Sequence, residues 1–155
     1  MNDYQREQLE ALNVVREGLS RLGASDRAHL KQQVDAYIQF RQAVDGFLKR
    51  HFGNFCTRAC FQSQTSACCS KDGIITFFAD TVIDALQSTP MQLDRMAASL
   101  NRINKGHRCV YLENDGCIWT VRPIVCAMFL CDRAMKAVFD AQPEAGKVWA
   151  SLRQQ

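Results

Sequence analysis

The first 55 residues contain no cysteine, and neither do the last 24. There are only three prolines and three histidines, no Cys-x2-Cys pair, no glycine-rich cofactor loop and no long apolar run. A helix that crosses a bilayer needs about 20 successive apolar residues, so no membrane partner is expected. The opening stretch, Met1-Asn2-Asp3-Tyr4-Gln5-Arg6-Glu7, is polar and does not follow the charged-then-apolar layout of a signal peptide, which points to a reducing cytoplasm. A one-sided charge is missing too. Nineteen basic and sixteen acidic residues leave +3, and Arg6, Arg16, Arg21 and Arg27 are interleaved with Glu7, Glu10, Glu17 and Asp26. Binding nucleic acid would call for a basic stripe on one element, so no such partner is expected.

What remains is an ordinary soluble composition, 47% apolar and 23% charged over 155 residues, enough for one domain with its own core. The patterning predicts a mainly α fold. It combines an N-terminal helical hairpin over 1–52, a cysteine-rich, metal-centred helical region over 53–142 with one short β-hairpin, and a C-terminal helix over 143–155. Leu9, Leu12, Val15, Leu19 and Leu22 recur at helical spacing, with Gly23 as terminator. A second helix is expected from Ser25 or Asp26 to about Phe52 on the stripe Leu30, Val34, Tyr37, Phe40, Val44, Phe47. The short loop between them predicts antiparallel packing. From Gly53 to Gly73 the periodicity vanishes and apolar content is low, so that segment needs an external support.

Further on, Val82, Ile83 and Leu86 mark a helix with Thr76 as candidate N-cap. Thr89-Pro90-Met91-Gln92 has the form of a capping box opening another, with Leu93, Met96, Leu100 and Ile103 on one face and Gly106 beyond its end. The β-prone runs 109–112 and 117–120 flank Glu113-Asn114-Asp115-Gly116, a hairpin turn. After Arg122-Pro123, one helix is expected to carry Met128, Cys131, Met135 and Val138, stopping before Pro143, and Val148, Trp149 and Leu152 suggest a last one.

The chemistry lies in eight cysteines: Cys56, Cys60, Cys68 and Cys69 in one run, Cys109, Cys117, Cys126 and Cys131 in another. In a reducing compartment, clustered cysteines are more often metal ligands or redox centres than disulfides. Four thiolates satisfy a tetrahedral zinc or an iron–sulfur cluster, and eight permit one shared site or two. Adjacent Cys68 and Cys69 cannot point the same way, so they are expected to take different roles. The absence of paired knuckles lowers the case for zinc and tilts the balance slightly towards an iron–sulfur cluster. Lys49, Arg50, Arg58, Lys71, Arg108 and Arg122 are candidates to offset thiolate charge, Arg122 above all because Pro123 stiffens its backbone four residues before Cys126.

Cys109-Val110-Tyr111-Leu112, Gly116-Cys117-Ile118-Trp119, Arg122-Pro123-Ile124-Val125-Cys126 and Phe129-Leu130-Cys131, together with the Cys68-Cys69 pair, resemble the cysteine-cluster family of zinc- or iron-chelating proteins. That family is related to the cysteine region of flagellin lysine methylases. The resemblance spans about residues 56 to 131. In the first run the family's Cys-x2-Cys-x2-Cys-Cys is replaced by spacings of three and seven, and Trp119 stands where Tyr is common. It implies metal chelation. The function expected is a metal-binding protein in an electron-transfer, sensing or accessory role. The alternatives are a metal-dependent enzyme such as a lysine methylase-like modifier, with His29, His51 and above all His107 as candidate bases or extra ligands, or a metallochaperone or thiol-redox protein. The N-terminal helices could serve a protein partner or a homodimer, against the simpler expectation that their stripe covers the domain's own core.

Overall fold

In a computed structural model of the chain, residues 1–65, 68–70, 74–104 and 106–155 are described; the expected role of Lys71 and the Gly73 boundary lie outside them. The fold is mainly α-helical, with one small antiparallel hairpin. The elements are α1 (Asp3–Arg21), α2 (Ala24–Gln33), α3 (Asp35–Cys56), a π-helical turn (Thr57–Gln62), α4 (Phe78–Gln87), α5 (Pro90–Asn101), β1 (Leu112–Glu113), β2 (Gly116–Cys117), α6 (Ile124–Met128), α7 (Asp132–Ala141) and α8 (Pro143–Leu152).

Two apolar clusters organise these elements. In the first, Leu12, Val15 and Leu19 of α1 meet Ala85 and Leu86 of α4, Leu93, Met96 and Leu100 of α5, and Tyr111 and Trp119 around the hairpin. In the second, Val44, Phe47 and Phe52 of α3 meet Ala127 of α6, Ala134 and Val138 of α7, and Ala145 and Trp149 of α8. The Phe47 and Trp149 rings stack with centroids 5.4 Å apart, and Phe139 meets Phe52 edge-on.

This division corrects the expected N-terminal hairpin. The apolar stripe of α1 packs against α4 and α5, and the long second helix is broken at Val34. Val34 and Leu30 turn towards the first cluster, whereas Phe40, Val44 and Phe47 serve the second, and one straight helix cannot present both sets to separate cores. Gly23, not Ser25 or Asp26, is the N-cap of α2. Two further boundaries differ. Helix α3 runs on to Cys56 and into the π-helical turn, and the helix expected across Met128 and Cys131 is two, because Phe129 and Cys131 are extended and Cys131 caps α7.

The capping box at Thr89 forms as expected, with Pro90 opening the helix and Gln92 on the Thr89 backbone N–H at 2.7 Å. Helix α5 nevertheless ends at Asn101, leaving Ile103 74% exposed, because its last carbonyls are held from another direction. Gln5, wholly buried on α1, donates through Nε2 to Leu100 O at 2.7 Å and Arg102 O at 2.8 Å. Gln5→Ala removes both donors and strands two carbonyls, at least one of them buried, so it is expected to cost about 1–3 kcal/mol in a urea unfolding titration. A midpoint equal to that of the parent protein would contradict this.

The two-residue turn Asn114-Asp115 joins β1 to β2, with Leu112 opposite Cys117 and Glu113 opposite Gly116. Gly116 sits at φ 118°, where a side chain would be strained. Ser99 Oγ donates to Val110 O at 2.6 Å, and Arg95 holds Glu113 at 2.6 Å and Asp115 at 2.8 Å, tying the hairpin to α5. Among the described residues no helix is long and apolar enough to cross a membrane.

Candidate metal centre

Each cysteine occupies a structurally distinct position. Cys56 ends α3, Cys60 lies on the π-helical turn, and Cys68 and Cys69 follow it. Cys109 precedes the hairpin and Cys117 ends it, Cys126 lies in α6, and Cys131 stands in the break before α7. A short backbone bridge joins the runs: Ser70 pairs antiparallel with Arg108, and within it Cys109 N–H donates to Cys69 O at 2.7 Å.

The cysteines meet at the seam between the two cores. A cavity of about 550 Å³ is lined by Cys56, Cys60, Cys68, Cys69, Cys117 and Cys126, with Phe52 and Leu130 from one side and Trp119 from the other. An adjoining cavity of about 330 Å³ shares five of those cysteines and adds Cys109 beside Tyr111. Cys131 lines neither cavity, but its backbone N–H donates to the Cys68 sulfur and its own sulfur bears on Cys56 and Cys68. Sulfurs from both runs thus gather in one region. Cys117 is exposed where it lines the cavities, and the other seven are half-buried.

Among the described residues no disulfide is present, and no three Cys, His, Asp or Glu side chains form a ready-made metal group. The sulfurs ring a space instead of meeting at a point. Burial pushes the Cys68 and Cys109 thiols up to about 12 and raises those of Cys56, Cys69 and Cys126, with neighbouring thiolates adding to the effect at all but Cys126. At these five thiols a thiophilic cation would have to displace protons in order to bind.

Three features suit this donor set to such a cation. Backbone N–H groups point at four sulfurs: Cys131 at Cys68, Tyr111 at Cys109, Trp119 at Cys117 and Ile75 at Cys126. Such bonds favour thiolate over thiol and tune bound metals. Secondly, the Arg122 guanidinium favours the thiolate at Cys56, Cys69, Cys117 and Cys126 while pairing with Asp45 at 2.5 Å. Thirdly, two cations, the buried Arg41 and the half-buried Arg108, have buried donors to spare. Arg41, 2% exposed, donates to Tyr37 Oη at 2.9 Å but leaves Nε and Nη2 without acceptors, and Arg108 leaves Nε so. Arg41 favours the Cys126 thiolate and Arg108 that of Cys69. A zinc on four thiolates would carry about two net negative charges, the kind of partner that buried guanidinium groups need.

Two carboxylates absent from the expected site position it. On α4, Asp80 accepts from Phe77 N–H at 2.9 Å and Ile124 N–H at 3.2 Å; Asp84 accepts from Val121 N–H at 2.8 Å and Ser88 Oγ at 3.2 Å. Both are buried, and together they hold the segment bearing Arg122, Pro123 and Cys126. Asp80 also displaces Thr76 from its expected role by taking the N–H of Phe77, which caps α4, while Thr76 meets Tyr4 Oη at 3.3 Å. Their sequence signal is weak: two acids four apart on an otherwise apolar helix.

Burial raises the Asp84 carboxyl to about 6. Its proton is held more tightly in the folded chain than in the unfolded one, where carboxyls titrate near ~3.9. The stability this contributes is therefore full below pH ~4 and lost as the pH rises through about 6. A neutral amide in place of the Asp84 carboxyl would keep an oxygen for Val121 N–H and set its NH2 group on the Ser88 oxygen, leaving the Ser88 hydroxyl proton for Thr120 Oγ1, 2.7 Å away. Asp84→Asn is thus expected to gain about 1–3 kcal/mol on the parent between pH 4 and pH 7, read as the change in their urea midpoints. A difference independent of pH would refute that account of Asp84.

His29, His51 and His107 line neither cavity; His29 and His107 are exposed, and His51 stacks on Phe47 with Nδ1 on Gln142 Oε1 at 2.8 Å. Of the expected cations, Lys49 lines the larger cavity and Arg122 lines both, and Arg122 and Arg108 also act on the sulfurs electrostatically. No protein-family model, no curated protein and no solved structure matches the chain.

Proposed function

We propose that the protein binds metal through its clustered cysteine thiolates, holding an iron–sulfur cluster or zinc, and that it acts in electron transfer, sensing or as an accessory to another protein. The observation that carries this is the gathering of sulfurs from both cysteine runs at the seam between the cores, where backbone N–H groups and nearby guanidiniums offset part of the penalty that burial places on the thiolate form. Sulfurs arranged around a cavity favour the cluster over the single ion. A cluster takes thiolates at its corners, whereas zinc needs four within about 2.3 Å of one point. The likeness to zinc- or iron-chelating proteins in residues 56 to 131 supports the same reading.

Metal and acid-labile sulfide analysis of anaerobically purified protein, with its visible spectrum, tests the proposal. Brown protein with iron and sulfide indicates the cluster, and colourless protein with stoichiometric zinc indicates the ion. Metal-free protein with full helicity and undiminished stability would defeat both.

A further inference from the structure

The larger cavity extends beyond the sulfurs. Asp45, Leu48, Lys49, Phe52 and Gly53 line it but not the smaller one, as do Phe129 and Leu130 from the break between α6 and α7. Among the described cysteines only Cys60 belongs to this part alone, since the others that line the larger cavity also line the smaller. On α3 these positions follow at steps of three and four residues, so they form one face of the helix. The neighbouring face, with Val44 and Phe47, packs into the second core, while this one opens on the cavity.

The walls here are apolar. Leu48 and Leu130 are half-buried, Phe52 is 2% exposed, and Phe129 stands 53% exposed at the opening, where a filled cavity would cover its ring. Gly53 keeps the floor clear. A methyl group placed on it would meet nothing within 4 Å, and its helical backbone has no need of glycine. A glycine inside a helix is about 0.5–1 kcal/mol less favourable than alanine, so the open space comes at the expense of the helix. The cavity's volume of about 550 Å³ lies within the ~300–1,000 Å³ in which small organic ligands bind.

Charge at the opening is one-sided. Asp45 is taken by Arg122 at 2.5 Å, and among the described residues no carboxylate pairs with Lys49, which is exposed where it lines the cavity. One positive charge is therefore left facing an apolar slot. The geometry points to a binding site for a small amphipathic monoanion of the fatty-acid type: its apolar body lies between Leu48, Phe52, Phe129 and Leu130, in the room that Gly53 leaves, and its carboxylate faces Lys49. Every one of these contacts comes from a residue other than cysteine, so the site stands or falls separately from the metal-binding proposal.

Calorimetric titration of decanoate into the full-length protein tests this, with decanol and decylammonium as neutral and cationic counterparts. Saturable binding of one decanoate per chain is expected, with decylammonium about fivefold weaker and decanol in between, the scale of one exposed charge pair. Lys49→Gln should abolish that preference and leave the affinity for decanol unchanged. Gly53→Leu should weaken decanoate and decanol alike by about tenfold or more, because its side chain occupies their space. Its thermal midpoint should stay at or above the parent's, since leucine is the better helix former. Phe129→Ser, at an exposed position, offers a second variant and should weaken both compounds about fivefold. No saturable binding, binding that Gly53→Leu and Phe129→Ser both leave intact, or decylammonium held as tightly as decanoate would overturn the assignment. So would a loss of stability in Gly53→Leu, which would show that this face of α3 is already covered.

Discussion

Stripping metal from the purified protein with a chelator is expected to lower its thermal midpoint by about 10 °C. A ligand present at a thousandfold over its dissociation constant stabilises the folded state by about 4 kcal/mol, and for a chain of this size each kcal/mol moves the midpoint by about 2–4 °C. The loss should also be local. Both apolar clusters form without the cysteines' help, apart from the contacts of Cys56, Cys109 and Cys131, so most helical circular dichroism should survive. The π-helical turn and the segment leading to the hairpin contribute little buried apolar surface, and limited proteolysis should cut there first once metal is gone. An unchanged midpoint, or collapse of all helices together, would show that the sulfurs do not brace these segments.

Trp119→Ala should cost about 3–5 kcal/mol, the usual loss for truncating a buried tryptophan. Trp119 is 6% exposed, packs edge-on against Tyr111 with centroids 5.2 Å apart, and closes the first core beside both cavities. Its indole N–H has no acceptor, so Trp119→Phe sacrifices no hydrogen bond and is expected to cost far less, about 1 kcal/mol. Its backbone N–H still donates to Cys117 in either variant. Equilibrium urea unfolding of the two variants separates packing from ligand support: equal losses would mean that the ring's volume is not what matters. A steep drop in metal occupancy for Trp119→Ala alone would follow from the hairpin losing its seat on the first core.

Local chemistry was the legible part of this chain. Thr89, Pro90 and Gln92 specify a helix start within four residues, and Asn114-Asp115-Gly116 specify a hairpin turn, because everything these motifs need lies in the residues themselves. The breaks at Val34 and Phe129 carry neither glycine nor proline. They arise because successive stretches serve different cores, which only the folded chain defines. Gln5, Asp80 and Asp84 show the same limit: each is a polar residue that belongs on a solvent face by composition, yet is buried to hold backbone groups distant in the chain. At the candidate site, the clustering of cysteines was plain from their spacing. The way the two runs meet was not, because it depends on the chain reversal that brings Cys109 to Cys69. Arg41 carried no signal at all, lying within an apolar stripe far from the nearest cysteine in sequence.

X-ray absorption at the edge of whatever metal accompanies the anaerobically purified protein addresses the central claim most directly. The account predicts metal in stoichiometric amount within a shell of sulfur at about 2.3 Å. A shell of oxygen and nitrogen, or protein that carries no metal and keeps its full stability, would contradict it.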